Sequence, residues 1–190
     1  MLLHISGDSL AARAEGTEIS TLSSLLSDRF QVVNSAKSGD STRDILTRLD
    51  ADILSQSQPA IFLLLIGSND LATHKQVPLV EFKENLAGIL ASVKQAWSGT
   101  RILLVGPPAV DEEKQRFRTN FLVELYSRAM QEQAELASVE FFDFYQLLLE
   151  RPEGLPFLME GIMDDGLHFG RQTYGILVDA IEEKLSGGKL

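Results

Sequence analysis

The stretch LLHISGDSL, residues 2–10, begins with a short apolar run and passes directly into a glycine, an aspartate and a serine. Short apolar runs bounded by turn residues are typical of buried strands. The first strand is predicted at 2–6, and four more such runs follow at 30–34, 60–66, 101–105 and 139–142. Ser9 is therefore predicted to lie just past the first of five strands, where an open α/β sheet presents its reactive groups.

The segments between these runs carry apolar residues at three- or four-residue spacing, which indicates amphipathic helices. The helices are predicted at about 17–28, 42–56, 82–97, 113–137 and 174–185. This alternation predicts an α/β fold, a three-layer α/β/α sandwich around a five-stranded parallel sheet. No linker rich in Pro, Gly or Ser interrupts it, so residues 1–190 are predicted to form a single domain. The functional loops then follow the strands, at 7–12, 35–41, 67–78, 106–114 and 152–171.

Composition narrows the classes of function. Of the 190 residues, 44% are hydrophobic and 23% are charged, as in an ordinary soluble globular protein. The 17 Lys and Arg against 27 Asp and Glu give a net charge of -10, which disfavours nucleic acid as a partner. Cysteine is absent, which excludes disulfides and thiolate chemistry. The longest apolar run, 60–66, is too short to span a bilayer, and no signal-peptide pattern precedes Ser9. We therefore expect a cytoplasmic protein without stable membrane insertion, with an exported form trimmed of its leader as the alternative.

A serine is a poor nucleophile at neutral pH unless a base removes its proton, and histidine titrates nearest to that range. The chain has three histidines. His4 lies inside the first predicted strand and is expected to be structural, whereas His74 is expected at the surface, with the rim of the site as the alternative. His168 differs because Asp165 stands three residues before it, at a spacing that lets the carboxylate orient the imidazole. The adjacent Asp164 is expected to be a loop carboxylate in water.

Acyl transfer also needs donors aimed at the oxyanion that develops on the carbonyl. Gly39 follows the second predicted strand, and the lack of a side chain would let a substrate approach its backbone N–H. Asn69 follows the third strand, and its amide is a neutral donor. Each loop taken singly has the residues of an ordinary turn. Their common position after strands favours one site that they share with Ser9 and His168.

Four blocks of sequence occur in order along the chain, which are GDSL at 7–10, NSAKSGD at 34–40, GSND at 67–70 and DGLH at 165–168. With these blocks the sequence resembles the GDSL-type or SGNH hydrolases over about residues 3–185. The GPP turn at 106–108 makes it similar in particular to the compact bacterial arylesterase and lysophospholipase-like enzymes and to the isoamyl acetate-hydrolysing esterases.

The resemblance implies a flavodoxin-like sandwich that hydrolyses esters or thioesters, and no metal or organic cofactor is expected. It implies Ser9 as the nucleophile, His168 as the base and Asp165 as the orienter of that base. It also implies an oxyanion hole formed by the N–H groups of Ser9 and Gly39 and by the side chain of Asn69.

Two features near the base depart from the family pattern. Phe169 stands where many members have a proline or a small polar residue, and Thr173-Tyr174 stands where a Gly-Tyr step is usual. The apolar loop 152–163, which precedes Asp165, is consistent with either a wall of an acyl or aryl pocket or ordinary packing beneath the loop.

We therefore expect a serine esterase that hydrolyses small or short-chain carboxylic esters through an acyl-enzyme, with a small-molecule ester as its substrate. A carbohydrate O-deacetylase and an acyl-thioesterase or lysophospholipase stay open on the same site, and so does a non-catalytic flavodoxin-like binding module. The carboxylates of Asp40, Asp44, Asp70 and Asp111 are interpreted as solvated rather than as metal ligands. The sequence does not indicate an oligomeric state.

Overall fold

The computed structural model describes residues 1–16 and 18–187. Its strands are β1 Leu2–Gly7, β2 Gln31–Asn34, β3 Ile61–Leu65, β4 Arg101–Val105 and β5 Glu140–Phe142. All pairings are parallel, and the strands form one sheet in the order β2-β1-β3-β4-β5. Every residue of β3 is buried, which requires that both faces of the sheet be covered. The predicted α/β fold with a five-stranded parallel sheet is confirmed.

The strand order changes direction at β1. β2 lies on one side of β1, whereas β3, β4 and β5 follow on the other side. The connections from β1 and β3 therefore diverge at the carboxyl edge of the sheet, and such a switch point leaves a crevice. Ser9 follows β1 and Asn69 follows β3, so both residues border this crevice.

The α-helices are α1 Ser9–Ala12, α2 Thr21–Leu26, α3 Thr42–Arg48, α4 Leu79–Ala96, α5 Asn120–Ala137, α6 Phe144–Leu149, α7 Leu155–Leu158 and α8 Arg171–Leu185. α4 packs against α3 and α5, and α2 packs against α1 and α8. The short helices α1, α6 and α7 were not predicted, because pieces of one or two turns carry too little apolar periodicity to be recognised. Within the described ranges, no helix is both long enough and apolar enough to cross a membrane.

The helix predicted at 113–137 begins seven residues later than expected, at Asn120. The preceding residues turn back instead, because the N–H groups of Lys114 and Gln115 both donate to the backbone oxygen of Asp111. Thr119 then caps α5 by accepting a hydrogen bond from the N–H of Leu122. Residues 113–119 therefore form a loop at the carboxyl edge of the sheet.

Two other predicted helices are shorter or divided. The segment 42–56 forms α3 and then a π-helical turn over Leu49–Leu54. In the segment 17–28, α2 begins at Thr21 because the side chain of Ser20 accepts a hydrogen bond from the N–H of Ser23. Thr17, where this helix was predicted to begin, lies outside the described residues.

His4 has the structural position that was predicted for it. Its side chain is buried in β1, where it packs on the rings of Phe62 and Trp97, and its Nε2 lies 2.8 Å from the Oγ of Ser35. Burial lowers the pKa of His4 to about 4, so the ring is neutral at physiological pH.

Candidate active site

Ser9 lies directly after a sharp turn between β1 and α1. β1 ends at Gly7, which has a φ of 151°, and a Cβ atom there would lie 2.0 Å from the backbone oxygen of Leu65. Glycine is therefore required for this close approach of β1 and β3. Asp8 begins α1, because its side chain accepts a hydrogen bond of 2.9 Å from the N–H of Leu10. These local features place Ser9 at the start of α1, beside the crevice.

His168 is hydrogen-bonded to Ser9, although the two residues are 159 positions apart in the chain. Ser9 Oγ lies 2.8 Å from His168 Nε2, and His168 Nδ1 lies 2.7 Å from Asp165 Oδ2. With Nδ1 donating to the carboxylate, Nε2 is left as the acceptor for the Ser9 hydroxyl. The three side chains thus stand in the order that nucleophilic catalysis by serine requires.

Asp165 is held as a carboxylate by donors on three sides. Its Oδ1 accepts hydrogen bonds from the backbone N–H groups of Leu167, at 3.1 Å, and His168, at 2.9 Å. Burial by itself would raise the pKa of Asp165, but these bonds and the one from the His168 ring outweigh it. The pKa of Asp165 therefore lies well below its ordinary range, and the group faces the imidazole ionised.

The loop that carries Asp165 is fastened to the loop between β4 and α5. The N–H of Asp111 donates to the backbone oxygen of Gly166 at 2.9 Å, and Gln115 Nε2 donates to the backbone oxygen of Asp165 at 2.8 Å. Gly166 has a φ of 74°, and a Cβ atom there would lie 2.6 Å from the backbone oxygen of Asp111. A glycine is needed here for the two loops to meet.

Asp164 points away from this arrangement. Its side chain is 69% exposed and forms an ion pair with Lys114, whereas His168 Nδ1 is bonded to Asp165. The expected water-exposed position of Asp164 agrees with the structure, although the partner Lys114 was not foreseen. Of the two adjacent carboxylates, Asp165 is the one that contacts the His168 ring.

The loops after β2 and β3 meet beside Ser9. The N–H of Lys37 donates to the backbone oxygen of Gly7 at 3.0 Å, which brings the loop of Gly39 next to the nucleophile turn. Asn69 is 5% exposed, and its Nδ2 donates to the backbone oxygen of Asp40 at 2.9 Å. The structure thus brings the predicted donor loops together at the carboxyl edge of β1, β2 and β3.

Sequence reasoning missed two residues that contact these parts. Arg118 donates to the backbone oxygen of Ser68 at 2.6 Å and to Asn69 Oδ1 at 3.2 Å, and it also contacts Gln115. Both Arg118 and Gln115 fell inside the predicted helix 113–137. The Thr119-Asn120 step is a typical helix start, and reading it as such would have placed them in a loop at the edge of the sheet.

Phe169 and Tyr174, which depart from the family pattern, belong to an aromatic cluster that follows His168 in the chain. Phe169 is buried and packs edge-on against Phe144, with ring centroids 5.7 Å apart, and it also contacts Tyr174 at 4.6 Å. The hydroxyl of Tyr174 donates to the backbone oxygen of Leu10, one residue after Ser9, at 2.8 Å. An aromatic cluster therefore supports the position of His168 relative to α1.

The interpretation of four aspartates as solvated holds for the exposed Asp44 but is wrong for Asp70 and Asp111, which are buried, and for Asp40, whose side chain is 12% exposed and pairs with Arg48. In the buried positions, Asp70 accepts hydrogen bonds from the N–H and hydroxyl of Thr42, and Asp111 accepts one from the N–H of Glu113. Burial raises the pKa of Asp70 to about 6. In the part of the chain that the structure describes, no three His, Asp or Glu side chains are grouped so that they could hold a metal ion.

Asp8 is a buried carboxyl group next to Ser9. Its Oδ2 has no hydrogen-bond partner among the described residues. Burial, with a smaller contribution from the charge of Asp70, raises the pKa of Asp8 to about 6. The native state therefore keeps this proton up to about pH 6, whereas the unfolded chain releases it near its ordinary pKa of 3.8. It follows that the contribution of Asp8 to the free energy of unfolding falls as the pH rises from about 4 to about 6.

We expect Asp8→Asn to remove this loss, because an amide oxygen still caps Leu10 and no charge is buried. The free energy of unfolding of the variant should exceed that of the wild type by about 1–3 kcal/mol at pH 8, and the difference should shrink towards pH 4. Urea unfolding of both proteins at pH 4, 6 and 8 measures it, with Asp28→Asn as a control that makes the same charge change at an exposed position. A difference that is constant with pH would contradict the expectation.

The apolar loop 152–163 has some side chains packed beneath it and others free to line a pocket, so each of the two interpretations fits part of it. Leu158 and Met159 are buried beneath it, whereas Phe157, Ile162 and Met163 are 44%, 74% and 47% exposed. The loop thus packs in part against the core and in part presents apolar side chains to the outside, shortly before Asp165.

His74 is exposed, as was predicted for a surface residue. Its ring contacts the ring of Phe117 in a tilted arrangement, with the ring centroids 4.3 Å apart.

Comparison with known proteins gives consistent similarities. A family model described as the GDSL-like Lipase/Acylhydrolase family matches residues 5–176. A GDSL esterase/lipase of Arabidopsis thaliana is 27% identical over 94% of this chain and 83% of its own length. Thioesterase 1/protease 1/lysophospholipase L1 of Escherichia coli strain K12 is 29% identical over 96% of this chain and 82% of its own length.

The fold is also found among solved structures. The crystal structure of the lipase/acylhydrolase from Enterococcus faecalis superposes with a TM-score of 0.83 and 22% identity, covering 98% of this chain and 95% of that one. A likeness at this identity supports the arrangement of strands and helices described above.

Proposed function

Because the chain belongs to the GDSL-like lipase/acylhydrolase family and is an ester-hydrolysing enzyme, we propose that Ser9 attacks small carboxylic esters and carries their acyl group during the reaction. We also propose that the chain forms a single domain. The observation that carries the proposal is the chain of short hydrogen bonds from Ser9 Oγ through His168 to Asp165. Family membership favours catalysis over the non-catalytic flavodoxin-like binding module that stayed open from the sequence.

The first half of the proposed reaction forms the acyl-enzyme. His168 Nε2 accepts the hydroxyl proton of Ser9 while Oγ bonds to the ester carbonyl carbon, and the carboxylate of Asp165 stabilises the imidazolium that forms. The carbonyl oxygen becomes an oxyanion, which accepts hydrogen bonds from the N–H groups of Ser9 and Gly39 and from Asn69 Nδ2. The C–O bond to the alcohol then breaks, and Nε2–H gives its proton to the departing oxygen.

The second half releases the acid. His168 Nε2 accepts a proton from a water molecule whose oxygen attacks the acyl carbon, and the same donors bind the second oxyanion. The bond to Ser9 Oγ breaks, Oγ regains the proton from Nε2, and the carboxylic acid leaves. Both halves use one base and one set of donors, so the reaction needs no residue beyond those named.

The surroundings of the site favour uncharged, apolar acyl or aryl groups. The exposed side chains of Phe157, Ile162 and Met163 lie on the loop shortly before Asp165. The net charge of -10 disfavours anionic substrates. A thioesterase or lysophospholipase reaction is the second candidate, because the Escherichia coli relative carries those names and an acyl chain would suit the same apolar loop. Sugar acetates, the third class, would gain little from these side chains.

A fluorophosphonate probe and an ester series test the proposal together. We expect one probe molecule to bond to Ser9, located by peptide mass spectrometry, because the probe requires an activated serine. The value of kcat/KM should rise by about 4-fold to 15-fold from p-nitrophenyl acetate to butyrate, since butyrate has two more CH2 groups and each contributes roughly 0.8 kcal/mol when it is buried. Absence of both labelling and turnover would contradict the proposed mechanism. Higher kcat/KM for an acetylated sugar or an acyl-CoA would move the substrate class to that alternative.

A further inference from the structure

Arg118 is a charged side chain that contacts the loop of Asn69 and has no role in the proposed mechanism. It lies in the loop before α5, and its guanidinium donates in three directions. Nε donates to Ser68 O at 2.6 Å, one terminal nitrogen donates to Asn69 Oδ1 at 3.2 Å, and the other donates to Gln115 Oε1 at 3.2 Å. A planar guanidinium has the geometry for such a fork, whereas the single ammonium nitrogen of lysine does not.

These contacts determine which end of the Asn69 amide faces the site. One end, Oδ1, accepts from Arg118, and the other end, Nδ2, donates to the backbone oxygen of Asp40 at 2.9 Å. A rotation of the amide by a half turn would place its NH2 against the guanidinium and its oxygen against a carbonyl, so both bonds would become repulsive. Since the NH2 group has two hydrogens, one N–H remains for an oxyanion after the bond to Asp40 is made.

Arg118 also connects the donor loop with the loop of the orienting carboxylate. Gln115 accepts from Arg118 and donates through Nε2 to the backbone oxygen of Asp165 at 2.8 Å. Burial lowers the pKa of Arg118, while the charges of Asp8 and Asp165 oppose this shift. A partly buried cation with these fixed partners is a rigid support for both loops, whereas a solvated surface arginine has many conformations.

We propose that Arg118 is a positioning residue for ester hydrolysis, which holds the Asn69 amide with its N–H directed at the oxyanion. Through Gln115, it also holds the Asn69 loop at a fixed position relative to the Asp165 loop. The inference rests on the proposed function, in particular on Asn69 as an oxyanion donor. Arg118 itself touches neither the ester nor the proton in transfer. Its effect is therefore carried by Asn69, and this dependence can be measured.

A double-mutant cycle of Arg118→Met and Asn69→Ala measures the dependence, with kcat and KM for p-nitrophenyl acetate as readouts. Asn69→Ala should lower kcat by about 10²-fold to 10³-fold, the usual loss for one oxyanion donor. Arg118→Met should lower kcat by about 10-fold to 100-fold with KM changed less than about 3-fold, because a misdirected donor acts mainly on the transition state. In the Asn69→Ala background, Arg118→Met should lower kcat by less than about 3-fold.

The control is Arg116→Met, which removes an exposed arginine two positions away and should leave kcat within about 2-fold. Arg118→Lys serves if Arg118→Met does not fold, since it keeps the charge but cannot donate to Ser68 and Asn69 together, and the same non-additivity is expected. An equal loss in both backgrounds, or a loss that falls on KM alone, overturns the inference. If Asn69→Ala loses no activity, the oxyanion role fails in the proposed function itself, and the inference about Arg118 fails with it.

Discussion

Replacing Ser9 with alanine is expected to lower kcat for p-nitrophenyl acetate by about 10⁴-fold or more, to the level that binding and oxyanion stabilisation supply without a nucleophile. The variant should also lose all labelling by the fluorophosphonate probe. The reason is that the reaction divides into two steps only if an oxygen on the enzyme accepts the acyl group, and Ser9 Oγ is the oxygen bonded to His168 Nε2. Retention of more than about 1% of kcat would contradict the assignment of the nucleophile.

Ser35→Ala is the matched control for this experiment. Ser35 Oγ also lies 2.8 Å from a histidine Nε2, that of His4, so the chain contains a second serine and histidine pair. That pair lacks an orienting carboxylate, because His4 Nδ1 has no hydrogen-bond partner among the described residues. We expect Ser35→Ala to keep both the labelling and a kcat within about 2-fold of the wild type. Loss of labelling in this variant would mean that the probe had not reported on Ser9.

The second large effect is expected for Asp165→Asn, with a loss of kcat on the order of 10⁴-fold. An asparagine leaves no charge beside the imidazolium that forms during attack, and its amide group permits the tautomer in which Nε2 carries the proton. Protonated Nε2 cannot accept the hydroxyl proton of Ser9. The steady-state kcat and KM for p-nitrophenyl acetate measure the effect, and circular dichroism checks that the variant is folded.

Asp164→Asn is its control, because it makes the same chemical change at the neighbouring position. Asp164 has a φ of 49°, a conformation that asparagine tolerates well, so the backbone of the loop should be preserved. The change weakens the exposed ion pair with Lys114, which contributes little in water. We expect kcat within about 3-fold of the wild type, and equal losses for the two asparagine variants would leave the orienter unassigned.

The strands were predictable because their information is local. The run at 60–66 consists of apolar residues without alternation, which is typical of a parallel strand covered on both faces, and β3 at Ile61–Leu65 is buried throughout. The start of α5 was misplaced because residues 113–119 keep a composition that suits a helix. Their conformation is decided by backbone bonds to Asp111 and by contacts with the loop of Asp165, which apolar periodicity does not record.

The candidate site divides in the same way. The sequence by itself determined that a serine, a glycine, an asparagine and a histidine with an aspartate follow strands or precede the last helix, because turns and strand ends are marked by short-range residue types. Only the tertiary structure decided that Ser9 meets His168 across 159 residues and that Arg118 contacts Asn69, and it has Asp165 rather than Asp164 at the ring, as the spacing had predicted. The physical reason is that these contacts depend on how distant loops close over a common edge of the sheet, whereas periodicity and capping act within a few residues.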